Sequence, residues 1–392
     1  MNKIHRDIGF LITQLTDGGA ERAVANLSKE LSKYYNIHIL LFNSNEITYS
    51  FKGTIYRIGV PISKWPWMRI WYIFLRWYRI KKYKKNNNIH TMISFMPIPN
   101  LYNIFTKGKD NAIISIRNYM SLRIKKNIEY CIIKYCGKKA NITVSVSEYA
   151  RQDLIENFSY SSNKVTTIHN LCDTRILQKS NLEIEKLTKN FDFSNGVIAT
   201  VGRLEFQKAH WHLLRAFSIV NKNLPHIKLV FFGQGNLEKK LKEYTKKLSI
   251  DNNVFFMGYQ KNHHTFLKKC NIFVLSSFFE GISNALLEAM ALGLPIISTE
   301  CQSEVLSKQI HQVDNMELSD YGILIPSFID KNFDVNDLVF ERADYILAEA
   351  MEKLVANEEL NKYYRNKSVE RIKDFAPDTI TKQWVEIIER YK

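Results

Sequence analysis

The chain has 392 residues, of which 45% are apolar and 24% charged, and its formal net charge is +16. Those proportions are globular and the length suits two full cores, which excludes a disordered or fibrous chain. No apolar run approaches the roughly 18 residues of a spanning helix, and the N-terminal stretch leads into Gly18-Gly19 without a small-residue cleavage site, so neither a spanning helix nor a signal peptide is expected. Five cysteines (Cys131, Cys136, Cys172, Cys270, Cys301) form no C-x-x-C pair. An odd, scattered set points to a reducing compartment and no zinc site.

Taken in chain order, apolar runs alternate with amphipathic helical stretches, the grammar of an α/β protein. Ile8 to Leu15 reads as a strand, followed by Thr16-Asp17-Gly18-Gly19-Ala20-Glu21-Arg22 and then Val24, Leu27 and Leu31 at helical spacing. A Gly-Gly turn between a first strand and a first helix lets backbone approach a ligand. Further strands are expected near 37–43, 91–96, 112–116 and 142–146, with Thr166 to His169 closing a first domain over 1–175. Arg117-Asn118 follows the run 112–116. The charged stretch 176–195 reads as a linker. A second domain, 196–375, opens on the run Val197 to Val201, which leads into Gly202-Arg203-Leu204-Glu205-Phe206-Gln207-Lys208-Ala209. Phe231-Phe232-Gly233-Gln234-Gly235 and Phe255-Phe256-Met257-Gly258 come next. The short run Asn271 to Leu275 then precedes Glu280-Gly281-Ile282-Ser283-Asn284, a helix through Glu288, and the buried-type run Pro295 to Ser298. The last stretch, 376–392, reads as a helix anchored by Trp384; in two-domain folds of this kind the last helix crosses back onto the first domain.

The charge is unevenly placed. Residues 1–195 hold 30 Lys and Arg against 14 Asp and Glu, while the remainder holds 25 against 25. Segment 64–85 carries eight basic residues, no acidic one and four of the six tryptophans. Trp67, Ile70, Trp71, Phe74 and Tyr78 share one helical face, a combination that suits a helix at an anionic headgroup boundary. The plain alternative is a core helix whose cations snorkel.

The histidines are scattered. His210 and His212 are two apart and so do not share a helix face, and His263-His264 reads as capping or surface residues. No carboxylate pair at D-x-D spacing presents itself, and no metal or cofactor is expected.

Three segments carry a family resemblance. Glu280 and Glu288, with seven residues between them at the start of a helix, resemble the signature of retaining family-4 glycosyltransferases. Gly202-Arg203-Leu204 with Lys208, and Gly18-Gly19-Ala20-Glu21-Arg22, resemble two more elements of that family. The resemblance implies the GT-B fold, two Rossmann-like α/β domains facing a cleft. It implies that Arg203 and Lys208 neutralise the donor diphosphate, that Glu280 lies at the donor sugar, and that Glu288 holds the ribose. Backbone at Gly18, Gly19, Gly281, Ile282, Ser283 and Asn284 would meet the donor, with Gly235 and Met257 nearby. The family usually has glycine where Ala209 stands; alanine is expected to offer its N–H with negative φ only. Many relatives place a histidine where Arg117-Asn118 stands, so these two are acceptor-side candidates.

The expectation is therefore a metal-independent, retaining hexosyltransferase. It would take a nucleotide sugar, UDP-linked by preference, and a polyprenyl-diphosphate-linked glycan acceptor, in assembly of O-antigen, capsule or other bacterial surface polysaccharide. It would sit in the cytoplasm, peripheral on the inner face of the plasma membrane. A sugar-nucleotide epimerase of similar fold remains an alternative. A nucleic-acid partner suits the basic and aromatic segment but not the donor motifs.

Overall fold

The computed structural model describes residues 6–16, 18–42, 47–60, 65–124, 127–174, 191–193, 196–260 and 262–391. Most of the expected linker, 176–195, lies outside them. The chain divides into two compact units, one running to Leu171 and taking back Pro377 onward, the other spanning Cys172–Ala376. The boundary falls at Cys172 because its amide donates to the Phe375 carbonyl at 2.9 Å, within the second unit.

The first unit holds a seven-stranded sheet of β1 (Asp7–Ile12), β2 (Asn36–Leu41), β3 (Thr54–Arg57), β4 (Thr91–Phe95), β5 (Asn111–Ile116), β6 (Ile142–Ser145) and β7 (Val165–Thr167), in the order β3-β2-β1-β4-β5-β6-β7. All pairings are parallel. Alternate residues feed different cores: Ile8, Phe10 and Ile12 join one cluster, and Leu11 joins another with Leu40 and Met92. Both faces are covered, so the strands read as continuous apolar runs. β3 carries no such run: its four residues are half-buried or exposed, as suits an edge strand. The C-terminal helix Pro377–Arg390 belongs to this unit, with Ile380, Trp384, Val385, Ile387 and Ile388 buried in the β1 core.

The helix Pro66–Asn86 starts on a proline at its first position, where the missing N–H costs nothing. Leu75, Trp77, Ile80 and Tyr83 pack inward. Arg79 donates to the Gly59 carbonyl at 2.9 Å and Arg76 to the Val60 carbonyl at 3.3 Å. Trp67, Ile70, Trp71, Phe74 and Tyr78 face solvent, between 47% and 72% exposed. The helix thus has a packed face and, among the described residues, the expected aromatic stripe on an exposed one. Lys84, one of the eight basic residues of segment 64–85, is buried and ion-paired with Asp110.

The second unit holds β8 (Val197–Val201), β9 (Lys228–Phe232), β10 (Val254–Phe256), β11 (Ile272–Leu275), β12 (Ile296–Thr299), β13 (Glu317–Ser319) and β14 (Gly322–Ile325), ordered β10-β9-β8-β11-β12-β14-β13. Only β13 and β14 pair antiparallel. The direction of winding reverses between β8 and β11, so the loops leaving their carboxyl ends open onto one another. That switch point is where doubly wound sheets hold ligands.

Candidate active site

At this switch point the loop after β8 and the loop after β11 are stitched together. The Ser276 hydroxyl donates to the Lys208 carbonyl at 2.8 Å, the Phe278 amide to the Gln207 carbonyl at 3.0 Å, and the Gln207 side-chain amide to the Phe279 carbonyl at 2.8 Å. This brings Lys208 and Glu280 together: Nζ lies 2.6 Å from Oε1, and the two side chains are 15% and 12% exposed. Ser277 donates to the same carboxylate oxygen at 3.0 Å.

Glycines make the room. A Cβ on Gly202 would lie 2.8 Å from Lys208 Cε, so its absence lets the lysine stem cross the strand end. Gly235 does a related job elsewhere: its Cβ would stand 2.3 Å from the Leu204 carbonyl oxygen, and the Leu204 amide donates to Gln234 at 3.0 Å. Gly235 therefore supports the Gly-Arg-Leu loop from behind.

Ala209 departs from expectation. It adopts φ 48°, ψ 38°, the left-handed region, at the junction between the turn Phe206–Lys208 and the helix His210–Asn223. That conformation costs an L-residue about 1–2 kcal/mol. The turn enforces it: the Ala209 amide donates to the Phe206 carbonyl at 3.1 Å, its own carbonyl accepts from His212 at 3.0 Å, and the residue is fully buried. Next to it, burial, with the Lys208 charge adding to it, pushes the His210 imidazole down to about 3, so it is neutral.

Arg203 does not join the pair. It is 72% exposed and lies 3.1 Å from Glu205, two residues on. The loop Glu280 to Asn284 is held by a residue that sequence reading passed over, the buried Gln302. Its amide nitrogen donates to the Gly281 carbonyl at 2.9 Å and its oxygen accepts the Ser283 amide at 3.2 Å. The Ser283 amide is thus committed inside the protein, against the expectation that it faces a ligand, and its hydroxyl caps the helix Asn284–Ala291 by accepting from Leu286 at 3.4 Å. Ile282 is buried beside it.

Glu288, one turn into that helix, is 3% exposed. His263 is its partner, with Nε2 2.9 Å from Oε2, rather than a plain capping or surface residue. Met257 follows β10; its amide donates to the Phe231 carbonyl at 2.9 Å and its carbonyl accepts from the Gln260 side chain at 2.9 Å. Neither Gln302 nor His263 carries a local sequence signal, since each acts across about twenty residues.

Gly18, Gly19, Arg117 and Asn118 belong to the first unit. Gly18 and Gly19 open the helix Gly19–Leu31 after β1, and a Cβ on Gly18 would overlap the Glu21 carboxylate. Arg117, after β5, bonds the Asn170 side-chain oxygen, reaches Ser115 Oγ at 3.4 Å and lies over Phe95. Burial pushes it down to about 10, still charged at neutral pH. Asn118 Oδ1 accepts the Tyr119 amide at 2.8 Å, a local turn contact.

Among the described residues, His212, Glu341 and Asp344 bring possible metal-ligand atoms within 4.8 Å of one another. His212 Nδ1 already lies 2.7 Å from Asp344, and Nε2 lies 2.8 Å from the Asp330 carbonyl. Arg215 joins the same buried network through Asp330 and Asp337. The arrangement is a hydrogen-bonded brace under the helix His210–Asn223. No helix among the described residues is long and apolar enough to cross a membrane.

Comparison with known proteins places this geometry. A family described as Glycosyltransferase Family 4 matches residues 17–176, and one described as Glycosyl transferases group 1 matches residues 184–311. An uncharacterized glycosyltransferase of Methanocaldococcus jannaschii is 34% identical over 312 residues, covering 76% of each chain. The N-acetylgalactosamine-N,N'-diacetylbacillosaminyl-diphospho-undecaprenol 4-alpha-N-acetylgalactosaminyltransferase of Campylobacter jejuni is 27% identical, over 94% of this chain and 95% of its own. The solved structure of Anabaena HepE with UDP and glucose superposes with a TM-score of 0.78 at 14% identity, over 98% of this chain and 100% of its own. The chain belongs to the family-4 glycosyltransferases and has their GT-B fold of two Rossmann-like domains.

Proposed function

We propose that the protein is a retaining, metal-independent transferase. It moves a hexose or N-acetylhexosamine from a nucleotide sugar, UDP-linked by preference, to a glycan on a polyprenyl diphosphate, in bacterial surface-polysaccharide assembly. The observation that carries this reading is the Lys208–Glu280 pair at the switch point of the second sheet. A cation held there, with a second on the mobile-length arm of Arg203, matches a leaving nucleoside diphosphate. The acceptor hydroxyl oxygen forms the new bond to the anomeric carbon as the bond from that carbon to the diphosphate breaks. The hydroxyl proton passes to the departing phosphate oxygen, so no protein base is required. Lys208 moves its charge from Glu280 toward the phosphate as charge develops. Glu280 orients the sugar, the Asn284 amide at the helix start faces phosphate, and Glu288 holds the ribose.

The acceptor class draws on the Campylobacter relative, whose name specifies a diphospho-undecaprenol substrate. It also draws on the uncovered aromatic stripe of Pro66–Asn86 with exposed Arg69, Lys81, Lys82 and Lys85. Such a face suits the headgroup boundary of an anionic leaflet, where a peripheral protein meets a lipid-linked acceptor. Incubation with a panel of sugar nucleotides and a short-chain polyprenyl-diphosphate glycan, read as nucleoside diphosphate release, tests the whole reading. One donor should turn over, with the anomeric configuration kept in the product and with undiminished rate in excess EDTA. Loss of activity in chelator, restored by manganese or magnesium, would overturn the metal-independent mechanism.

A further inference from the structure

Glu288 is a carboxylate with almost no access to water, a placement that is costly without a specific partner. The partner is itself held. His263 Nδ1 lies 3.1 Å from the Gln260 carbonyl oxygen, and a carbonyl only accepts, so Nδ1 carries a hydrogen. On the other side of the ring, Nε2 faces a carboxylate oxygen at 2.9 Å. That contact also needs a proton between the two atoms, whether it rests on the ring or on the acid. The ring is therefore fixed at both nitrogens, and with it the rotamer of Glu288.

The tether continues. Gln260 donates its side-chain amide to the Met257 carbonyl at 2.9 Å, and the Met257 amide is bonded to β9 at Phe231. A connected chain thus runs from the strand ends β9 and β10, through Met257, Gln260 and His263, to Glu288 on the helix Asn284–Ala291. His263 and Glu288 are 25 residues apart, so the contact joins two segments distant along the chain.

We propose that His263 is the positioning residue for Glu288, and that this chain makes the site selective for a ribose-bearing nucleotide over its deoxy forms. The proposal rests on the reading of Glu288 as the ribose ligand. A carboxylate free to rotate would lose the bidentate grip on vicinal hydroxyls, whereas one pinned through a single oxygen keeps it. Discrimination by a buried polar group set in place is large, because the deoxy ligand leaves that group unpaired.

The experiment measures calorimetric affinity of the full chain for UDP and for 2′-deoxy and 3′-deoxy UDP, with melting temperature as a control of folding. Wild type should prefer UDP over at least one deoxy form by about tenfold or more. Glu288→Ala should abolish the preference. His263→Ala should weaken UDP by about tenfold and leave the deoxy form little changed, since only the ligand that uses Glu288 feels its misplacement. His263→Gln, whose terminal amide nitrogen can stand in for Nε2, should restore part of the preference. A folded His263→Ala that keeps the wild-type ratio, while Glu288→Ala loses it, would overturn the role of His263 and leave the ribose reading intact. An unchanged ratio in Glu288→Ala would sink the ribose reading and the proposal with it.

Discussion

Two regions invert the ordinary rule of burial in opposite ways. Around the loops after β8, β11 and β12, charged and polar side chains lie largely inside and have matched partners: Lys208 with Glu280, Glu288 with His263, and Gln302 with the backbone of Gly281 and Ser283. Along Pro66–Asn86, large apolar side chains lie outside, exposed among the described residues. Buried polar groups with matched partners specify a geometry. Exposed apolar groups flanked by cations specify a surface. The C-terminal helix is the control, because its stripe of Ile380, Trp384, Val385 and Ile388 has the same spacing and is buried.

The largest effect should come from the first region. Lys208→Ala removes the cation proposed to face growing phosphate charge, so turnover should fall by about two to three orders of magnitude with folding retained. Steady-state rates on a responsive donor measure this, and near-normal transfer would remove Lys208 from the mechanism.

The comparison of the two stripes is next. Trp384→Ala should cost about 3–5 kcal/mol in urea unfolding, the usual result of emptying a core position. Trp71→Ala, 60% exposed, should change stability by no more than about 0.5 kcal/mol. Similar losses for both would mean that the exposed stripe is covered in solution.

The cations of the same helix should matter only at a charged bilayer. Replacing Lys81, Lys82 and Lys85 by glutamine should weaken sedimentation with anionic vesicles by about 1 kcal/mol per residue at low salt, and leave nucleotide affinity unchanged. Lys84 is left out, because its loss would strand Asp110 in the interior. Equal binding of the parent to neutral and anionic vesicles would remove the electrostatic part of this reading.

The last prediction concerns a slope. His210 has a folded-state value near 3, below the ordinary 6.5, so the unfolded chain binds the extra proton first. Its contribution is intact above about pH 6.5 and lost progressively as pH falls from there toward 3. His210→Asn should flatten that part of the stability curve, and a parallel shift without a change of slope would contradict the buried, neutral ring.

How much of this was legible in the sequence follows from the range of each interaction. Strand runs such as Val197 to Val201, the Glu280–Glu288 spacing and the Gly202–Lys208 loop are local, and each can be read along the chain. The edge strand Thr54–Arg57 was not, because it buries neither face and so leaves no pattern. Ala209 was misjudged because local preference says negative φ, while the turn and helix on either side of it fix the opposite. His263 and Gln302 act through partners far along the chain. Lys84 looks like its exposed neighbours until Asp110 is seen beside it. The α/β alternation came from periodicity and the GT-B class from the family resemblance; the seventh strand of the first sheet and the pairing of side chains across loops came only from the fold.

One feature of the resting site bears on the cell in which such an enzyme works. The Lys208 ammonium meets solvent already occupied by the enzyme's own carboxylate, 2.6 Å away. Any phosphate that enters must displace an internal competitor of the same sign. On the proposed reading, a lone inorganic anion would gain only that exchange, whereas a nucleotide sugar would also gain its base, ribose and sugar contacts. Glu280 would then act as a threshold, keeping the abundant small anions of a crowded, phosphate-rich solution from holding the site that a scarce donor needs.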